Sequence, residues 1–130
     1  MSIEVINPNT VHKPIFAYSH AIKAGNTIYF SMQLPINLEG QLVGPGDPVA
    51  QAEQVFTNLK NVLESAGSKM SDVVKLTTYI LESDQRPKIM EVRNKYFGNH
   101  RAPSIIAVVK ELAIEGALLQ VDGIAVVGGG

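Results

Sequence analysis

Few side chains in this sequence could ligate, attack or shuttle protons, and their spacing excludes several chemistries at once. The three histidines are His12, His20 and His100. None is spaced with a second ligand as a zinc site requires. His20 stands beside Tyr18 and titrates near neutrality, where imidazole exchanges protons; as a lone histidine it reads as a surface residue. Ser31 has no G-x-S-x-G context and no assignable acid–base partner, which excludes a serine nucleophile. Gly44-Pro45-Gly46 lacks the following Lys-Ser/Thr of a phosphate loop. Cysteine is absent, so disulfides, a thiol nucleophile and thiolate metal sites are excluded.

Composition narrows the setting. The 130 residues fit one domain, and 45% of them are apolar, enough for a real core. Eleven Lys and Arg against twelve Asp and Glu leave a net charge of −1, which gives no electrostatic reason to expect nucleic acid or an anionic membrane. Met1 to Asn9 lacks the basic-then-apolar order of a signal peptide. No apolar run approaches the roughly 18 residues of a membrane-spanning helix. A cytoplasmic, soluble protein is the expectation.

The elements that must position any site follow from periodicity. Pro48 to Ala66 is predicted helical: Asp47 can cap it and Pro48 suits its first position. Val49, Ala52, Val55, Phe56, Leu59, Val62, Leu63 and Ala66 recur at spacings of three and four, and Gly67 stops the helix. A second helix is predicted from about Arg86 to Phe97, with Ile89, Val92 and Tyr96 on one side, flanked by Met90 and Phe97, and with Gly98 at its end. Arg93 projects from it as a residue that solvates a helix face. Strands are predicted at Ala21 to Ala24, Thr27 to Met32, Val73 to Leu81, Ser104 to Val109 and Leu118 to Val127. Gly25-Asn26 is a hairpin turn, and Leu38 to Gln41 a turn between short extended pieces. The resulting order, β-β-(β)-α-β-α-β-β, makes an α+β domain: a mixed sheet with both helices on one face. Val74, Leu76, Ile106, Val108, Leu119 and Val121 stand at positions that a single helical layer would leave uncovered, which calls for oligomerisation. Gly128-Gly129-Gly130 reads as a glycine tail beyond a domain of residues 1–127.

Several ordered motifs then resemble the RidA/YjgF family over nearly the whole chain. Tyr18-Ser19-His20-Ala21-Ile22-Lys23-Ala24-Gly25 is similar to that family's G-P-Y-S-x-A-x-x-x-G, and Ser31-Met32-Gln33-Leu34-Pro35 to its S-G-Q-x-P. Gln51, with Asn58-Leu59 and Leu63 to Gly67, resembles its Q…N-L-x-x-x-L-x-x-A-G helix. Asp72 to Tyr79 resembles D-V-V-K-x-T-V-F, and Leu119 to Ala125 resembles V-E-I-E-A-I-A. The resemblance implies a chorismate-mutase-like fold in a homotrimer, with sheets lining a central barrel and helices outside. It implies three clefts between subunits, which in the deaminase members bind an imine or enamine derived from an amino acid. There an Arg grips the substrate carboxylate, a Glu positions water, and no metal or organic cofactor is needed.

Carried over by position, the resemblance marks a divergent site. Ser104 falls where the family's deaminases carry the Arg, and Gln120 where they carry the Glu. A Gln oxygen can orient water but cannot act as a general base. Asp122 matches the second acidic position, on the same strand face as Gln120. Arg101, three residues before Ser104, either reaches a cleft or is a solvated arginine. Met32 replaces the glycine of S-G-Q, and Met90 stands where an Asn is common. Gln120 and Tyr18 are the candidate catalytic residues. Ser31, Met32, Gln33, Met90, Arg101 and Ser104 are the candidate ligand-binding residues. The expected function is a small reactive imine or enamine metabolite bound or processed in inter-subunit clefts, with standard 2-imino-acid deaminase activity weak or absent. The alternatives are a non-catalytic metabolite-binding trimer and a trimer that only binds a partner.

Overall fold

A computed structural model describes residues 2–129; Met1 and Gly130, the ends of the expected domain and tail, lie outside the described residues. Eight principal elements follow one another: β1 (Ile3–Ile6), β2 (Ala21–Ala24), β3 (Thr27–Gln33), α1 (Pro48–Ser65), β4 (Val73–Ile80), α2 (Arg86–Phe97), β5 (Ser104–Val108) and β6 (Leu119–Val126). The strands form one six-stranded sheet in the order β1-β2-β3-β6-β4-β5. Only β4 and β5 run parallel, because α2 is the crossover that returns the chain to the same end of the sheet. This is the expected α+β arrangement with one strand added. Four residues long and mostly exposed, β1 pairs with β2 and carries too little alternation to show in the sequence. Among the described residues no helix is long and apolar enough to cross a membrane.

Local chemistry sets the helix ends. Asp47 accepts from the backbone N–H groups of Val49 and Ala50, both at 3.1 Å, and Pro48 opens α1. Gly67 follows α1 at φ +79°, a conformation that a Cβ would penalise. On α1 the buried stripe runs through Ala52, Val55, Phe56, Leu59, Val62 and Leu63. Val49, expected on this stripe, is instead 42% exposed and borders an open depression beside Lys88 and Val92.

Both helices pack on one sheet face, where Ile28, Phe30, Val73, Leu76, Ile80, Leu119 and Val121 meet them. This corrects the expected list of uncovered residues: Leu76, Leu119 and Val121 are fully buried under the helices, and Ile106 is partly buried against the same core. A bulge between Val73 and Lys75 breaks the alternation of β4. Val74 at that bulge and Val108 at the end of β5 are exposed. The opposite sheet face is bare, and Ile22, Tyr29 and Ile105 are exposed on it at 38%, 52% and 57%. Gly123 lets β6 pass the bulge: a Cβ there would lie 2.1 Å from the Lys75 carbonyl oxygen and 2.8 Å from the Phe30 ring.

Candidate functional site

The polar residues carried by β2, β3 and the segment before them form one cluster. Ser31 Oγ donates to the Ser19 carbonyl at 2.6 Å, which ties β3 to the chain entering β2. His20 is not a surface residue: it is fully buried, and its Nε2–H donates to the His12 carbonyl at 2.7 Å. That leaves Nδ1 as the lone-pair nitrogen, facing Gln33 Nε2 at 3.4 Å. Gln33, also fully buried, donates to the Ser31 carbonyl at 3.0 Å, while its Oε1 is enclosed without a partner. His12 is 2% exposed and packs edge-on against His20 at 4.9 Å between ring centroids. Burial lowers the His20 pKa and outweighs the His12 carbonyl, so the imidazole stays neutral. Tyr18 lies edge-on to His20 at 6.0 Å. Burial raises its phenol pKa, against a smaller opposing pull from the Ile15 backbone.

Gln120 projects from β6 toward this cluster. Its Oε1 accepts the Ala113 backbone N–H at 3.0 Å, and its Nε2 lies 4.0 Å from Met32 Sδ. Asp122, two residues on, faces the bare side of the sheet beside Tyr79. Desolvation first, and then the Asp122 carboxylate, raise the Tyr79 pKa and keep its hydroxyl protonated. A shallow depression of the bare face is lined by Tyr29, Ser31, Lys75, Thr77, Tyr79 and Asp122. A separate groove along the 110–117 loop, lined by Leu81, Lys110 and Glu115 among others, contains none of the expected site residues.

A second cluster lies at the sheet edge, where α2 crosses β5. Arg93 was expected to solvate a helix face, but it is only 8% exposed. Its Nη1 donates to Ser104 Oγ at 3.0 Å and lies 3.8 Å from Met90 Sδ. Arg101 is exposed and bonds the backbone carbonyls of Gly98 and His100. Burial and then the charge of Arg101 lower the Arg93 pKa. Thus Tyr18, Ser31, Met32, Gln33 and Gln120 gather at one end of β3 and β6. Met90, Arg101 and Ser104 gather around Arg93, with β4 between Ser104 and Gln120. Within one chain the structure does not bring the two groups together.

Two further residues hold the site in place. Gln51 of α1 donates to the Gly44 and Gly116 carbonyls at 3.2 and 2.9 Å and accepts the Leu118 N–H at 2.7 Å, anchoring the loop that carries Ala113. Asn58 donates to the Leu34 and Ile36 carbonyls at 2.9 and 3.0 Å, fixing the chain as it leaves Gln33. Both interrupt the apolar stripe of α1 seven residues apart, and that polar pair at core spacing was a readable signal.

Residues 9–127 match the family model described as Endoribonuclease L-PSP. The chain belongs to the RidA/YjgF family. Its similarity to other RidA/YjgF members runs end to end. It is 38% identical over 125 residues to a RutC family protein of Pyrococcus abyssi, covering 96% of this chain and 98% of that one. It is 33% identical over 123 residues to the 2-iminobutanoate/2-iminopropanoate deaminase of Dermatophagoides farinae, covering 95% of each. Among solved RidA/YjgF-type structures, the Rid-family protein YyfA of Yersinia pestis superposes with a TM-score of 0.91 at 30% identity, covering 97% of this chain and all of that one. The mixed sheet with two helices is therefore the architecture of this family.

Proposed function

We propose that three copies associate through the bare sheet face, and that each contact forms a cleft for a small imine- or enamine-type metabolite in which standard 2-imino-acid deamination is weak or absent. Two features support the assembly. The bare face exposes Ile22, Tyr29 and Ile105 without a covering layer. The two polar clusters, separate within a chain, would meet only between chains. A stable contact of this kind buries at least about 1,000 Å². The deaminase-named relatives support the ligand class.

One observation carries the catalytic part. Hydrolysis of R–C(=NH)–COO⁻ adds water across the C=N bond, moves a proton to nitrogen and releases ammonia, leaving the keto acid. A carboxylate beside the water would take its proton. Gln120 offers an amide instead, with its one acceptor oxygen already bonded by the Ala113 N–H. Asp122 is engaged with Tyr79 on the bare face. The second reading, a trimer that binds the metabolite without turning it over, is favoured by the same amide.

The test generates 2-iminopropanoate with an amino-acid oxidase and follows pyruvate. The natural chain should give little acceleration over buffer. Gln120→Glu should raise the rate by about 10²–10⁴ if the cleft is otherwise competent. No gain would favour the binding-only trimer, and robust hydrolysis by the natural chain would overturn the proposal.

A further inference from the structure

Arg93 is a buried cation without an acidic partner among the described residues. Its only hydrogen bonds there come from Nη1, to Ser104 Oγ and Met90 Sδ, and its Nε is enclosed with no partner at all. The acidic residue that α2 does engage, Glu53 of α1, pairs with Lys95 instead. The guanidinium lies 5.9 Å from the Phe97 ring centroid, a contact that cannot replace a counter-charge. Arginine does not escape such burial by losing its proton, so the charge stays. Arg101 adds a second positive charge nearby, and its repulsion reaches Arg93. Two cations with no carboxylate between them leave a field that a bound anion would relieve.

We infer that Arg93 and Ser104 form a binding site for the carboxylate of a small monoanionic metabolite, with the guanidinium supplied by helix α2. This rests on the cleft proposed above, whose ligand would bring the carboxylate. The local geometry suits the role. Ser104 Oγ accepts from Arg93, so its own hydroxyl hydrogen remains to donate to an anion. Ser104, bonded to the guanidinium, is exposed, so an anion can approach the pair from solvent at the start of β5. Met90 and Phe97 give an organic ion an apolar flank. Arg101 spends its Nη1 on the Gly98 and His100 carbonyls and acts mainly through its charge. Arg93 is the one guanidinium free to contact the anion, and the charge of exposed Arg101 is screened by solvent, so the site matches one negative charge, a carboxylate rather than a phosphate dianion.

Calorimetric titration of the full chain, in whatever assembly it adopts, tests this with propionate, the isosteric neutral propionamide and inorganic phosphate. Propionate should bind, propionamide should not, and phosphate should bind more weakly. Arg93→Gln should weaken propionate binding about 10- to 100-fold. Arg93→Lys keeps the charge without the planar fork and should fall between the two. Arg101→Gln should cost less than about tenfold. In the absence of ligand Arg93→Gln should be at least as stable as the natural chain; if it fails to fold, Arg93→Lys carries the test. Absent propionate binding, equal binding of propionamide, tighter binding of phosphate, or full affinity in the Arg93 variants would each overturn the site. The cleft fails by different results: a monomer that still binds propionate through Arg93 removes the cleft and keeps the site, and rapid imine hydrolysis contradicts only the catalytic proposal.

Discussion

The two faces of the sheet are finished to different degrees. Under the helices the polar side chains that α1 sends into the apolar core are matched: Gln51 makes three hydrogen bonds to backbone, and Asn58 fastens two carbonyls. On the bare face and at its margins the matching stops. Ile22 and Tyr29 lack a covering layer, and Arg93 at the sheet edge lacks a counter-charge. The covered face packs its apolar core within one chain and fixes the fold. The bare face and the sheet edge are where the proposed contact between chains and the proposed carboxylate would sit.

The comparison breaks most directly in the core. Leu59 is fully buried, so Leu59→Ala should cost about 2–5 kcal/mol in chemical denaturation; a loss below 1 kcal/mol would mean that the helical layer is not what holds the sheet. On the other face, Ile22→Glu should leave the stability of the chain within about 1 kcal/mol while light scattering shows the assembly falling from three chains to one. An assembly that tolerates the glutamate does not use this face.

A smaller, pH-dependent effect belongs to His20. Burial depresses its pKa below the ordinary imidazole value of about 6.5, so the unfolded chain binds the proton more readily than the folded one. Its contribution is fully present above pH 6.5 and is lost as pH falls through the depressed folded value. The unfolding midpoint should decline over that acid range, and His20→Asn should flatten the decline. The smallest effect is expected at Lys60, exposed on the outer side of α1: Lys60→Ala should stay within about 0.5 kcal/mol.

Where sequence and structure agree, strong local chemistry is the reason. Asp47-Pro48 and Gly67 bracket α1, and α2 runs from Arg86 to Phe97 as its periodicity predicts. The phase of β4 was not legible, because the extra residue at Val74 shifts the alternation and only strand pairing reveals it. That is why Leu76 was expected on the uncovered face. Arg93 was misjudged by residue type although its spacing was informative: it stands four residues after Ile89 and four before Phe97, on the buried side of α2. His20 carried no such signal. Its burial comes from the segment holding His12, which folds over it from eight positions away. The separation of Ser104 from Gln120 likewise follows from strand order, which no linear motif encodes.

The bond from the Ala113 amide to Gln120 Oε1 gives the protein a built-in spectroscopic reporter. A ligand or substitution that draws the Gln120 side chain away strips this amide of its acceptor. Its resonance should then move upfield, and its proton should exchange faster with deuterated solvent. Because Gln51 separately anchors the same loop at Gly116 and Leu118, those neighbours should keep their exchange rates. Ala113 would therefore register occupancy at Gln120 in a nuclear magnetic resonance titration even where nothing is turned over.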